Sequence, residues 1–287
     1  MKILTVKAPA KINLFLKVGD LLPNGYHEIS TLMQTVDLCD KLTFEETGQQ
    51  PAYFMDDCPA GPENLMVRAA EAFYSKLGRR PQVSIFLQKQ IPFSAGLGGG
   101  STDAAAVLRG LNTLHGNPLE PIDLFELAKT LGADVPFCLQ GGRCLAAGVG
   151  EQLTVLPQPE QYAVWLQKNH AKRSTGDMYA LVDELPHDLA TGRLIGRLLK
   201  SGRETTAFTL CENDFLAVSP DRTEQWQAMN RLYARGALLA GLSGSGPTVF
   251  GLFPLNTNLA KIGLAEQTGV WHTKTISQLP APVWLHK

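Results

Sequence analysis

Residues 91–106 read Ile-Pro-Phe-Ser-Ala-Gly-Leu-Gly-Gly-Gly-Ser-Thr-Asp-Ala-Ala-Ala, with Gly96, Gly98, Gly99 and Gly100 followed at once by Ser101 and Thr102. Ahead of them, Val83 to Gln88 alternates apolar and polar side chains, the period of a strand. Behind them, Ala104, Val107, Leu108, Leu111 and Leu114 fall on one helical stripe. The predicted order is strand, glycine loop, helix. Glycines let the backbone approach a ligand closely, and the helix that follows offers unpaired N–H groups and the positive end of its dipole. That combination is an anion site, and phosphate is its usual guest. The competing reading is a glycine turn with no ligand, which rarely needs so many glycines. No lysine follows Gly100, so this is not a P-loop. Ser101 stands where the dinucleotide fingerprint needs its third glycine.

Working outward, the 287 residues suit one large domain or two moderate ones. The 26 Lys and Arg against 27 Asp and Glu create no strong field, so neither nucleic acid nor an anionic membrane is expected as a partner. Cys39, Cys58, Cys138, Cys144 and Cys211 form no CxxC pair, and their odd number argues against a disulfide framework. They read as reduced cysteines of a cytoplasmic protein, with a catalytic thiol the lesser alternative. No HExxH or other metal spacing occurs. The N-terminal stretch carries Lys7 and Lys11 and lacks a signal-peptide cleavage site, and no apolar run reaches membrane-span length.

Along the chain, residues 2 to 18 read as strand, which puts Lys11 and Asn13 on one face, either solvated or lining a polar site. Pro23-Asn24-Gly25 marks a turn, with Tyr26 and His27 directly after it. Alone, those two read as a packed ring and a surface imidazole. Ile29 to Leu42 is extended and Thr47 to Gly61 loop-like. Glu63 to Leu77 and Pro121 to Leu131 are helical, the second with Gly132 at the position of a C-cap glycine. Asp134, in Gly132-Ala-Asp-Val-Pro-Phe137, is either a turn cap or a catalytic carboxylate. Glycines at 141–142 and 148–150 flank a hairpin, and Pro157 with Pro159 marks a domain boundary. Tyr162 to Leu166 is predicted as strand, Ser174-Thr175 opens a helix, and Arg222 to Leu239 is a longer helix. A second glycine loop, Gly241-Leu-Ser-Gly-Ser-Gly-Pro247, leads into a strand at Thr248 to Phe253. The whole reads as α+β in two lobes.

Three segments carry a resemblance to the GHMP kinase superfamily: Ala8-Pro-Ala-Lys-Ile-Asn13, Pro92 to Thr102, and Leu242-Ser-Gly-Ser-Gly-Pro-Thr-Val249. The resemblance covers nearly the whole chain. With Gly25-Tyr26-His27 and Leu131-Gly-Ala-Asp-Val-Pro-Phe137 added, it is closest to the branch that phosphorylates the 2-hydroxyl of a cytidine-diphosphate-linked polyol in the non-mevalonate route to isoprenoids. It implies a ribosomal-protein-S5-like N-terminal lobe (1–157), a ferredoxin-like C-terminal lobe (158–287) and an active site in the cleft between them. By the same resemblance Pro92, Phe93, Ser94, Ala95, Gly96, Leu97, Gly98, Gly99, Gly100, Ser101 and Thr102 would bind ATP. Lys11 and Asp134 would be catalytic, and Mg²⁺ would accompany ATP with Ser101 a possible ligand. Tyr26 and Tyr179 resemble positions that enclose a cytosine ring, and His27 the one that hydrogen-bonds its edge. Asn13 would meet the polyol and Thr175 would shape the cytidine pocket. The partner implied is a small molecule, and the protein a cytoplasmic monomer or weak homodimer. Lys168-Asn-His-Ala171 lacks a proline usual in that branch, and Leu216 replaces a common acid. Two other readings stand beside this one: a GHMP kinase with another acceptor, and a non-catalytic nucleotide sensor of the same fold.

Overall fold

The computed structural model describes residues 3–46, 51–56, 58–158, 160–168, 174–186 and 188–285. β1 (Ile3–Leu21) and β2 (His27–Glu46) form a long antiparallel pair across the predicted turn. β3 (Tyr53–Met55) and β4 (Cys58–Pro59) occupy part of the stretch read as loop. They are too short for a periodic signal. α1 (Leu65–Lys76) is capped by Asn64, whose side chain accepts from Met66 N. β5 (Val83–Gln88), α2 (Gly99–Leu114) and α3 (Pro121–Leu131) follow as predicted. Gly132 closes α3 with φ 166°, an extended conformation and not the left-handed one of a C-cap glycine. The chain needs that extension to re-enter a helix at once, in α4 (Val135–Gln140). The predicted hairpin is β6 (Arg143–Ala147) with β7 (Gln152–Val155), turning through Gly148 to Gly150. The first sheet runs β4-β3-β5-β2-β1, with β6 attached to β2 and β7 to β6.

The second half contributes β8 (Tyr162–Lys168), α5 (Thr175–Val182), α6 (Ala190–Lys200), α7 (Glu204–Phe208), α8 (Asp214–Val218) and α9 (Arg222–Ala234). α9 stops short of the predicted Leu239, because the chain turns at Arg235-Gly236 to supply β9 (Leu239–Leu242). β10 (Thr248–Pro254) and β11 (Val270–Lys274) complete an antiparallel sheet of order β11-β8-β10-β9. β12 (Val283–Leu285) returns to the first sheet and pairs with β1. Pro159 and the basic turn at 169–173 lie outside the described residues. No helix among the described residues is long and apolar enough to cross a membrane.

β1 threads all the packing layers in turn. Leu4, Val6 and Ala8 pack with α1, α2 and β5 around Phe44 and Phe73. Ala10, Ile12, Leu14 and Phe15 pack with Leu97, Val164 and Phe250, while Leu16 and Val18 pack with Phe215 and Phe253. Burying each of these side chains larger than alanine is worth about 1.5–3 kcal/mol. One continuous strand therefore holds both sheets and lays its middle, residues 9 to 15, at the cleft. Its pairing with β2 slips between Pro9 and Lys11 and again between Asn13 and Phe15. Such bulges re-aim side chains and recur beside active sites.

Candidate active site

Lys11 is buried, and its Nζ donates to Asn13 Oδ1 at 2.7 Å and lies 3.1 Å from Asp134 Oδ2. The orientation of Asn13 is imposed from behind. Its Nδ2 donates to Thr31 Oγ1 at 2.9 Å, and the Thr31 hydroxyl donates to Phe15 O at 2.6 Å. The amide oxygen is thus left to face Lys11. Asp134 stands at the N-cap of α4 but makes no side-chain cap, so the turn-capping alternative does not describe it. Its carboxylate is turned to Lys11 and is about one-third exposed.

The glycine loop is pinned to both other motifs. Lys11 N donates to Leu97 O at 3.0 Å, and Ser243 Oγ donates to Gly96 O at 2.8 Å. A Cβ on Gly96 would fall 2.2 Å from Ser243 O, so only glycine fits there. Gly98, the N-cap of α2, has φ 71° and no side chain to cap the helix. Thr102 N makes the return bond to Gly98 O, and the first-turn N–H groups before it are those a helix cannot satisfy itself. They border a cavity of about 420 Å³ that also touches Lys11, Asn13, Asp134 and Tyr179. Pro92 through Ser101 all line it. Thr102, expected among the ATP-binding residues, does not. Its side chain is buried and donates to Pro9 O at 2.8 Å, which staples α2 to β1.

A second hollow of about 580 Å³ is lined by Tyr26, His27 and Asp183, and by Ser101, Asp134 and Tyr179 in common with the first. Tyr26 is exposed, whereas the ring stacked on Tyr179 is that of His27, at 4.9 Å and 20°. Burial, with Asp134 near, pushes the Tyr179 hydroxyl up to about 12. Thr175 is the first residue of α5, and its side chain lies outside the described residues.

Sequence reasoning missed Thr31, Asp183 and a buried cluster under the loop. In that cluster Lys89 Nζ lies 2.5 Å from Asp40 Oδ2 and 2.7 Å from Asp103 Oδ2. Asp40 Oδ1 also accepts from the N–H groups of Gln90 and Ile91. Burial raises the Asp103 carboxyl, with Lys89 opposing and Asp40 adding. The usable signals were Asp37 and Asp40 in the apolar run of β2 and Lys89 just ahead of the loop. Mg²⁺ requires hard oxygen donors. Ser101, on the cavity wall, fits that need, and so does Asp103, whose buried Oδ1 has no hydrogen-bond partner among the described residues. Burial pushes the thiols of Cys39, Cys138, Cys144 and Cys211 upward, so none is a thiolate nucleophile at neutral pH.

A glycine loop feeding an uncapped helix, a second loop buttressing it and a lysine–carboxylate pair between two hollows define a class, the GHMP kinases. The GHMP kinases N terminal domain model matches residues 64–142, and the GHMP kinases C terminal model matches residues 189–265. The 4-diphosphocytidyl-2-C-methyl-D-erythritol kinase of Geobacter metallireducens is 40% identical over 257 residues, 88% of this chain and 90% of the relative. A crystal structure of 4-(cytidine 5'-diphospho)-2C-methyl-D-erythritol kinase is 32% identical with a TM-score of 0.75, covering 94% of this chain and 98% of that one. Homoserine kinase from Cytophaga hutchinsonii (TM-score 0.74, 20% identity, 99% and 97% covered) shares the fold. The chain belongs to the 4-diphosphocytidyl-2-C-methyl-D-erythritol kinase family of GHMP kinases.

Proposed function

We infer that this enzyme transfers the γ-phosphoryl group of ATP to the 2-hydroxyl of 4-diphosphocytidyl-2-C-methyl-D-erythritol, in non-mevalonate isoprenoid precursor synthesis. The observation that carries the reading is the meeting of two hollows at Asp134 and Ser101. One is floored by helix N–H groups suited to phosphates, and the other is walled by aromatic and imidazole rings suited to a pyrimidine. Residues 92 to 101 wrap the ATP phosphates, with Pro92 shaping the loop and the backbone N–H groups of 93 to 101 available to donate. Lys11, two of whose N–H groups serve Asn13 and Asp134, offers the third to the transferred phosphoryl group. Asp134 orients the acceptor hydroxyl and takes its proton, work usually worth about 10²–10⁴ in rate. Ser101 and Asp103 would hold Mg²⁺, which would supply positive charge against the phosphates. Tyr26, His27, Tyr179 and Thr175 take the cytidine end, and Asn13 the methylerythritol end. The lobes are assigned to residues 1–157 and 158–287, and the enzyme to the cytoplasm as a monomer or weak homodimer. The test is ADP release with ATP, Mg²⁺ and each of three acceptors: the cytidylated polyol, free methylerythritol phosphate and homoserine. Turnover with the first alone supports the reading. ATP binding without turnover on any acceptor returns the chain to the sensor alternative.

A further inference from the structure

A pyrimidine pocket has to tell cytosine from uracil, which differ at position 4: an amino donor in one, a carbonyl acceptor in the other. A histidine ring can do this only if the nitrogen facing that position is held in one protonation form. His27 is clamped in a way that does so. Its ring face lies on Tyr179, which in turn meets Phe215 edge-on at 4.9 Å and 88°. Its Nε2 sits 2.6 Å from Asp183 Oδ1. The His27 side chain is only 9% exposed although it follows a solvent-facing turn.

Asp183 is the C-cap residue of α5, its own N–H returning to Tyr179 O. A negative charge at a helix C-terminus opposes the dipole, so helix stability does not explain a carboxylate here. Its pairing with His27 does. An ionised carboxylate only accepts hydrogen bonds, so the hydrogen of a neutral imidazole resides on Nε2. Nδ1 is then left as an acceptor on a ring that lines the hollow together with Asp134 and Tyr179.

Building on the cytidine reading above, we propose that Asp183 is a specificity-determining positioning residue: it fixes the His27 tautomer so that Nδ1 accepts from the 4-amino group of cytosine and turns away the 4-carbonyl of uracil. Asp183 touches no substrate atom in this account and acts through His27 alone.

The test compares kcat/KM for 4-diphosphocytidyl- and 4-diphosphouridyl-methylerythritol in the wild type, Asp183→Asn and Asp183→Ala. The cytidine-to-uridine ratio falls roughly 10- to 100-fold in both variants, since one polar edge contact loses its sign. The loss lies in KM for the cytidylated substrate, while KM for ATP and kcat at saturation hold. A purely structural role would lower both acceptors together, and an unchanged ratio overturns the proposal. In parallel, ¹⁵N NMR of histidine-labelled protein reads the ring directly. The Nε2–H tautomer in the wild type and a mixture in Asp183→Asn support the proposal, whereas an Nδ1–H or cationic ring in the wild type overturns it. The NMR readout needs no turnover. Failure of the wild type on every acceptor therefore defeats the cytidine reading while the tautomer claim is still decided separately.

Discussion

A buried ammonium must find partners for its N–H groups, and Lys11 finds them in residues that alternation and two bulges bring to the same spot. Two outcomes follow at this scale. Asp134→Asn lowers kcat about 10²–10⁴-fold with ATP affinity little changed, as steady-state kinetics beside calorimetric ATP titration will read. Lys11→Ala lowers kcat about 10²–10³-fold, the usual loss for one preorganised donor to developing charge. Glycine positions separate by what surrounds them. Gly96→Ala drives a Cβ into Ser243 O and weakens ATP binding at least about tenfold, the equivalent of 1.4 kcal/mol. Gly100→Ala meets nothing nearer than Leu65 at 3.6 Å and leaves folding intact by circular dichroism. Lys11 and Asn13 were legible as neighbours because residues i and i+2 share a strand face. Thr31, which decides which way the Asn13 amide points, was not, since it enters from the partner strand 18 residues on.

At the scale of elements, the helices and strands whose apolar period is long were readable: α2, α3, β5 and the β1–β2 pair all fall where pattern predicts. Errors gathered where a short-range signal met a tertiary demand. α9 was read through Arg235-Gly236 to Leu239, yet the second sheet takes Leu239 into its edge strand. Arg143 carries no local signal at all. It is fully buried, its Nε donates to Gln34 Oε1 at 3.0 Å, and it pairs with Glu204 of α7. It thereby ties β6 to the helices of the other half. Arg143→Ala strands the Glu204 carboxylate and costs about 3–5 kcal/mol of stability, measurable as a lower urea midpoint. Lys17 makes a similar link from β1 to Asp214 at 2.9 Å and Glu212 at 2.8 Å. Burial lowers its ammonium, but those carboxylates outweigh burial and the net shift is upward. A raised folded-state value means the contribution is complete below the ordinary lysine range and fades as pH climbs through the raised value. Lys17→Gln should therefore flatten the loss of stability as pH climbs above the ordinary lysine range, read from denaturant titrations at successive alkaline pH values.

Over the whole molecule, one strand carries the site and both sheets close on it, so ligand binding and global stability are coupled. ATP at about 100 times its Kd should stabilise the fold by about 2.7 kcal/mol, a rise of several degrees in Tm, and Asp134→Asn should keep that rise. The acceptor site proposed here, by contrast, draws on residues from β1, the turn before β2, α4 and α5, which no single stretch of sequence joins. That is why the phosphate side was legible from one loop while the cytidine side rested on scattered aromatic positions. The most direct measurement is ADP release by the wild type and Asp134→Asn with ATP, Mg²⁺ and 4-diphosphocytidyl-2-C-methyl-D-erythritol, beside free methylerythritol phosphate and homoserine. Turnover with the cytidylated acceptor alone, lost in Asp134→Asn without loss of ATP binding, is the result predicted. Equal turnover on an acceptor lacking cytidine, or full activity in Asp134→Asn, would contradict the account.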